Sequence, residues 1–290
     1  MSDSFPESPI IIIGAGRSGT NMLRDILTRE PAFITWPCDE INYIWRHNHR
    51  GYETDQFTRE MADEKTKKHI RQSFASLAKK NTSATVVEKT CANSLRCGFI
   101  HEIFPAAKFI HIVRDGRDVA ASAALRWNAK LDPAYLFSKA RFVPKLDLFY
   151  YASRYFYARL YRVFSKQERL STWGPKFEGM QTAFRDNDLP VGCAIQWREC
   201  VKAATLQLEK VPSDQVLTLR YETFTSNPCK ELARVFEFAN VSVEEARLHE
   251  LTTGVSTKSV KKWKSQLADS EIAAIQDEAG SWLERLGYEL

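Results

Sequence analysis

Short, wholly apolar runs alternate along the chain with longer stretches in which apolar residues recur at helical spacing. Ile10–Ile13 is a β-branched run that ends at Gly14. Strands buried on both faces of a parallel sheet have this character. After the loop Gly14–Gly19, the stretch Thr20–Arg29 carries Met22, Leu23, Ile26 and Leu27 at helical spacing, and Pro31 follows. Proline stops that helix, because it lacks the N–H that would continue the ladder. The opening unit predicted is therefore strand–loop–helix.

The alternation continues. Thr85–Val87 reads as a strand leading into Glu88-Lys89-Thr90, and Ser94–Phe104 as a helix ended by Pro105. Lys108–Val113 is the third strand, Arg114–Arg117 its loop, and Val119–Leu125 the start of the next helix. Val216–Leu219 is a fourth strand before Arg220-Tyr221-Glu222, and Pro228–Ala239 is helical with proline near its start. Strands and helices alternating across short turns imply an α/β fold, a parallel sheet covered on both faces. Lys130–Glu178 departs from this pattern: aromatic-rich, with ten Lys/Arg against four Asp/Glu, it reads as a helical insertion. No internal repeat or low-complexity tract interrupts the chain, and one domain over residues 1–290 is expected.

Two loops carry the chemistry. In Ile13-Gly14-Ala15-Gly16-Arg17-Ser18-Gly19-Thr20-Asn21, the glycines let backbone N–H groups converge on one anion. The helix behind adds its positive dipole end, and Arg17, Ser18 and Thr20 add side-chain donors. The spacing Gly14-x4-Gly19 matches the first half of a Walker A loop, but Thr20 stands where the lysine belongs and Asn21 where the Mg²⁺ ligand belongs. In the second loop, a strand delivers Arg114 to its carboxyl end, and Ser122 follows eight residues later on the next helix. Ligands of open α/β sheets sit at that edge, so a guanidinium fork and a hydroxyl could grip one phosphate together. Asp115 and Arg117 suit loop-structuring roles, and His111, inside an apolar strand, suits a satisfied core position.

Gly16-Arg17-Ser18-Gly19-Thr20 resembles the 5′-phosphosulfate loop of sulfotransferases that use 3′-phosphoadenosine-5′-phosphosulfate (PAPS), and Arg114…Ser122 resembles their 3′-phosphate motif. The likeness is closer to the tyrosylprotein, Golgi-type and bacterial branch than to the cytosolic branch, whose Gly-rich C-terminal segment is absent. The resemblance implies a three-layer P-loop-like sandwich, PAPS as co-substrate, 3′,5′-ADP as product and no required metal. Further residues enter through it. Cys38-Asp39-Glu40-Ile41 resembles the segment bearing the catalytic base, which makes Glu40 the base; a buried carboxylate of raised pKa would suit that task. His47 and His49 remain rivals, and Asp39 and Glu40 could equally be surface or helix-capping carboxylates. Arg46 matches an arginine near the acceptor, Lys89 a lysine on the transferred group, and Tyr221 a nucleotide-binding tyrosine. Trp197 matches a family tryptophan, although packing serves it equally well. Ser256–Lys264 resembles a Ser…Lys-Trp segment folding over the nucleotide, with Ser259 and Lys262 as its contacts. The implied activity is sulfuryl transfer to a hydroxyl acceptor. A P-loop kinase and a PAPS- or 3′,5′-ADP-binding protein without turnover are the alternatives.

Composition narrows this little further. The formal charge of +5 over 290 residues is too mild to argue for nucleic acid, and it suits a small polyanion. No run of 18 apolar residues is present, and Met1–Pro9 lacks the basic and apolar regions of a secretory signal. The expected location is cytoplasmic, luminal only if an anchor precedes the chain. Six cysteines without a CxxC pair favour free thiols over zinc or disulfides. A homodimer is left open, as is the identity of the acceptor.

Overall fold

The computed structural model describes residues 8–127 and 173–290. Its strands are β1 (Ile10–Ile13), β2 (Phe33–Ile34), β3 (Thr85–Lys89), β4 (Lys108–Val113) and β5 (Val216–Arg220). The described helices before the insertion are α1 (Thr20–Leu27), α2 (Asn42–Trp45), α3 (Glu64–Ala78), α4 (Cys97–Ile103) and α5 (Gly116–Trp127). After it come α6 (Met180–Asp186), α7 (Leu189–Leu208), α8 (Tyr221–Ser226) and α9 (Pro228–Phe238). The chain finishes with α10 (Glu245–Leu251), α11 (Trp263–Gln266) and α12 (Asp269–Arg285). The five strands form one sheet in the order β2-β3-β1-β4-β5, and every pairing is parallel.

The isoleucine run explains the layering. Successive strand side chains point to opposite faces. Ile11 and Ile13 pack into a cluster with Phe74 of α3, Phe99 of α4 and Phe109. Ile10 and Ile12 pack into another, with Leu23 and Leu27 of α1 and Phe236 of α9. All four are almost fully buried, and each contributes about 1.5–3 kcal/mol relative to an exposed position. A third cluster joins α5, α7 and α12 through Ala120, Trp197 and Ala279.

The four anticipated strands are present, and β2 is an addition: two residues are too short for any periodicity to reveal. β3 runs on to Lys89. The stretch expected as one helix over 94–104 is a 3₁₀ turn (Cys91–Leu95) followed by α4. Arg96 breaks it, its backbone leaving the helical region (φ −146°) while its guanidinium turns inward to Asn93 and Asn42. The helix after β4 starts at Gly116, three residues earlier than expected. Of the anticipated helical insertion, Trp173–Glu178 is irregular and the remainder lies outside the described residues. No described helix is long and apolar enough to cross a membrane. Because the neighbours of β1 lie on its two sides, the carboxyl ends of β3, β1, β4 and β5 bring Lys89, the glycine loop, Arg114 and Tyr221 to one edge.

Candidate active site

The glycine loop is tightly enclosed. A Cβ on Gly14 would come within 2.8 Å of Thr20 Cγ2 and 2.9 Å of the Ile112 carbonyl. Gly19 adopts φ +93°, and a Cβ there would lie 2.6 Å from the Tyr221 ring. Arg17 is left-handed as well (φ 74°), an unfavourable conformation for a residue with a side chain. Two contacts to the second loop hold it there: its carbonyl accepts from Arg114 Nη1 at 2.9 Å, and its Nε donates to Ser122 Oγ at 3.0 Å. Ser18 Oγ is buried and has no hydrogen-bond partner among the described residues. A hydroxyl so placed costs free energy unless something supplies a partner. Asn21 is exposed in the first turn of α1, and Gly16 lies under the Trp173 ring.

Arg114, at the end of β4, organises the second loop. Its Nη2 donates to the Ser259 carbonyl at 2.5 Å, and its guanidinium lies 4.3 Å from the Tyr221 ring centroid. Arg114 Nε has no partner among the described residues. Trp197 Nε1 donates to the Arg114 carbonyl at 3.1 Å, and the Trp197 ring fills the space a Cβ on Gly116 would need. Trp197 therefore packs and steadies this turn. Asp115 accepts from the Arg117 amide and guanidinium, and Glu222 takes the Asp115 amide and the Tyr288 hydroxyl, each at 3.0 Å. The loop-structuring roles of Asp115 and Arg117 are visible in these bonds.

The C-terminal segment lies over this edge. Asp118 Oδ2 accepts from the Lys261 amide at 2.8 Å and Oδ1 from the Trp263 amide at 3.0 Å, while Arg117 stacks 4.2 Å from the Trp263 ring. Lys262 is exposed between those two anchored residues. A cavity of about 370 Å³ opens beside Tyr221, lined also by Met22, Asp25, Arg29, Val255 and Ser259. Positive charge is concentrated where the two loops meet: lost hydration, then Arg114 and Arg126, push the Arg17 pKa below its ordinary value. Such crowding of cations favours an incoming anion.

Across β1, the end of β3 carries Lys89, whose Nζ donates to Glu40 Oε1 at 3.1 Å. The Cys91 amide donates to the same oxygen at 3.2 Å. Burial works against the lysine's charge, and Cys91 and Glu40 outweigh it, so its pKa lies above the ordinary value. Cys91 Sγ sits 3.9 Å from Thr20 Oγ1, which links this corner to the glycine loop; burial, then Glu40, pushes the thiol up to about 12. Sequence reasoning passed over Cys91, because a cysteine following Lys-Thr carries no pattern of its own.

Arg46 is elsewhere engaged: it pairs with buried Asp55 at 2.7 Å and donates to the Thr54 and Tyr52 carbonyls. His47 stacks on His69 of α3 with ring centroids 3.8 Å apart, and His49 Nε2 lies 2.9 Å from the Met61 carbonyl. His111 is buried, but its Nε2 is unsatisfied among the described residues, and burial pushes its pKa down to about 4. It is a core histidine with one ring nitrogen left unsatisfied among the described residues. Among the described residues no three His, Cys, Asp or Glu side chains come together as a metal would require.

A sulfotransferase family model matches residues 9–168, more than half of the chain. No curated protein matches. Among solved structures, sulfotransferase STF9 from Mycobacterium avium superposes with a TM-score of 0.56 at 14% identity, over 99% of this chain and 79% of its own. The sulfotransferase domain of the Synechococcus PCC 7002 olefin synthase gives 0.56 at 16%, over 98% and 95%. Mouse sulfotransferase SULT7A1, solved in complex with PAP, gives 0.50 at 13%, over 97% and 87%. At these identities the structures share the fold. The family match is the stronger finding, because it runs through the glycine loop, Glu40, Lys89 and the Arg114–Ser122 turn: the chain belongs to the sulfotransferase family.

Proposed function

We propose that the chain transfers a sulfuryl group from PAPS to a hydroxyl acceptor and releases 3′,5′-ADP. The observation that carries this reading is the junction of the two anion loops at Arg17. Its carbonyl meets Arg114 and its Nε meets Ser122, so the two loops proposed to take phosphates lie side by side. A donor with separate 5′ and 3′ anions fits that arrangement better than ATP, which lacks a 3′-phosphate. The unpartnered Ser18 hydroxyl and Arg114 Nε fit as further donors to these anions. The cavity beside Tyr221 is large enough for an adenine ring. The mouse relative solved with PAP supports the same ligand class.

When bound, PAPS supplies a sulfuryl group whose S–O bond to the 5′-phosphate breaks as an S–O bond to the acceptor forms. Glu40 takes the proton of the acceptor hydroxyl as general base. Lys89 and Arg17 offset the negative charge that grows on the leaving phosphate. Arg114 and Ser122 hold the 3′-phosphate, and Gly16, Ser18, Gly19, Thr20 and Asn21 hold the 5′ side. Tyr221, just past the end of β5, and Ser259 and Lys262, from the C-terminal segment, close over the nucleotide. Arg46, bound to Asp55, serves the acceptor side by shaping residues 42–55. One domain accounts for the chain, since the described strands form a single sheet.

Calorimetric titration with 3′,5′-ADP, against 5′-AMP and ATP and with or without Mg²⁺, tests the donor site. The expected result is binding that requires the 3′-phosphate and ignores Mg²⁺. A preference for Mg-ATP would overturn the reading in favour of a kinase.

A further inference from the structure

The segment that carries Glu40 is held at three consecutive residues. The Asp39 carbonyl accepts from Arg24 Nη1 of α1 at 3.0 Å. The Glu40 carboxylate accepts from Lys89 and the Cys91 amide. The Ile41 amide donates to Thr90 Oγ1 at 3.1 Å. That last contact has a defined direction. Thr90 Oγ1 lies 2.5 Å from Glu88 Oε1 and gives its one proton to that carboxylate, so a lone pair remains for Ile41. Glu88 is fixed in turn by Asn93 Nδ2 at 2.6 Å and Trp45 Nε1 at 3.3 Å. Both Thr90 and Glu88 are buried.

A fully buried carboxylate beside the site would be an expensive way to fill space. Nothing about sheet packing requires one at the end of β3, where Val86 and Val87 already pack both faces. What Glu88 does supply is a fixed acceptor that orients one hydroxyl, and that hydroxyl fixes the backbone next to the base. We propose that Thr90, oriented by Glu88, is a positioning residue: it sets where the Glu40 carboxylate stands relative to Lys89. The proposal rests on Glu40 being the base. Thr90 itself is fully buried and has no surface to offer nucleotide or acceptor.

The test compares Thr90→Val, which keeps the shape and removes the lone pair, with Thr90→Ser, which keeps the hydroxyl. Hydrogen exchange read by mass spectrometry on the peptide spanning 37–45 needs no acceptor. Exchange should quicken in Thr90→Val and return to the parental rate in Thr90→Ser. Turnover is read in reverse with 4-nitrophenyl sulfate and 3′,5′-ADP, by release of 4-nitrophenol. Thr90→Val should lower kcat about ten- to a hundredfold, as small misplacements of a catalytic group do, with the KM for 3′,5′-ADP within about twofold of the parent. Thr90→Ser should restore kcat. Thermal melting confirms that each variant is folded. Unchanged exchange in Thr90→Val would overturn the proposal even if this sulfate ester is not turned over. Equal kcat in the two threonine variants would overturn it too. Glu40→Gln, assayed alongside, separates the two claims. Full turnover in Glu40→Gln removes the base and the proposal together. Lost turnover in Glu40→Gln with parental kcat in Thr90→Val removes the positioning role alone.

Discussion

Arg114 serves several ends with one guanidinium. It bonds the Arg17 carbonyl, bonds the Ser259 carbonyl and lies over Tyr221, so it supports the conformation of the loop it is proposed to help. Arg114→Ala is expected to weaken 3′,5′-ADP binding by about 2–3 kcal/mol, the scale of a lost charged hydrogen bond, and to affect 5′-AMP much less. Calorimetry on both nucleotides checks this; equal losses would mean that loop collapse dominates. That Arg17, Arg114 and Ser122 would come together was legible in the sequence, because they belong to two compact motifs that follow strands. The contacts of Arg24, Thr90 and Glu88 were not. Their importance comes from partners 15 to 49 positions away, and no local pattern records that.

At the scale of elements, the start of α5 ties down the C-terminal segment together with Arg114 at the end of β4. Asp118 accepts two backbone amides of that segment, from Lys261 and Trp263. Lys261 is itself left-handed at φ 59°, a conformation this anchorage sustains. Asp118→Ala should free residues 256–264. Faster hydrogen exchange there and roughly tenfold weaker 3′,5′-ADP binding are expected, from about 1–2 kcal/mol of lost anchoring. Stability in urea should fall much less, because the segment adds few residues to the main clusters. Strand positions were legible wherever apolar runs met a glycine or a charged turn. The interruption at Arg96 was not, since it depends on a buried arginine finding Asn42 and Asp55 from distant elements.

For the whole molecule, two buried groups make stability depend on pH in opposite senses. Burial pushes Glu88 up to about 7 from an ordinary 4.5. Its contribution is fully present below pH 4.5 and is lost as pH rises through 7. Burial pushes His111 down to about 4 from 6.5, so its contribution is present above 6.5 and is lost as pH falls through 4. The two slopes largely cancel across the overlap, which predicts a flat stability profile for the parent. Glu88→Gln removes one slope. In urea titrations the parent should gain on that variant by on the order of 2–3 kcal/mol between pH 8 and 4.5; a constant difference would show that Glu88 is ionised throughout. A last consequence follows from Trp127 and Trp173, whose ring centroids lie 6.4 Å apart. The chain departs from the sheet's covering helices and rejoins them at nearly the same spot. A linker of a few residues could therefore bridge the two ends. Replacing 130–170 by a short Gly-Ser linker should leave a folded protein that still binds 3′,5′-ADP, because closing so small a gap costs little entropy.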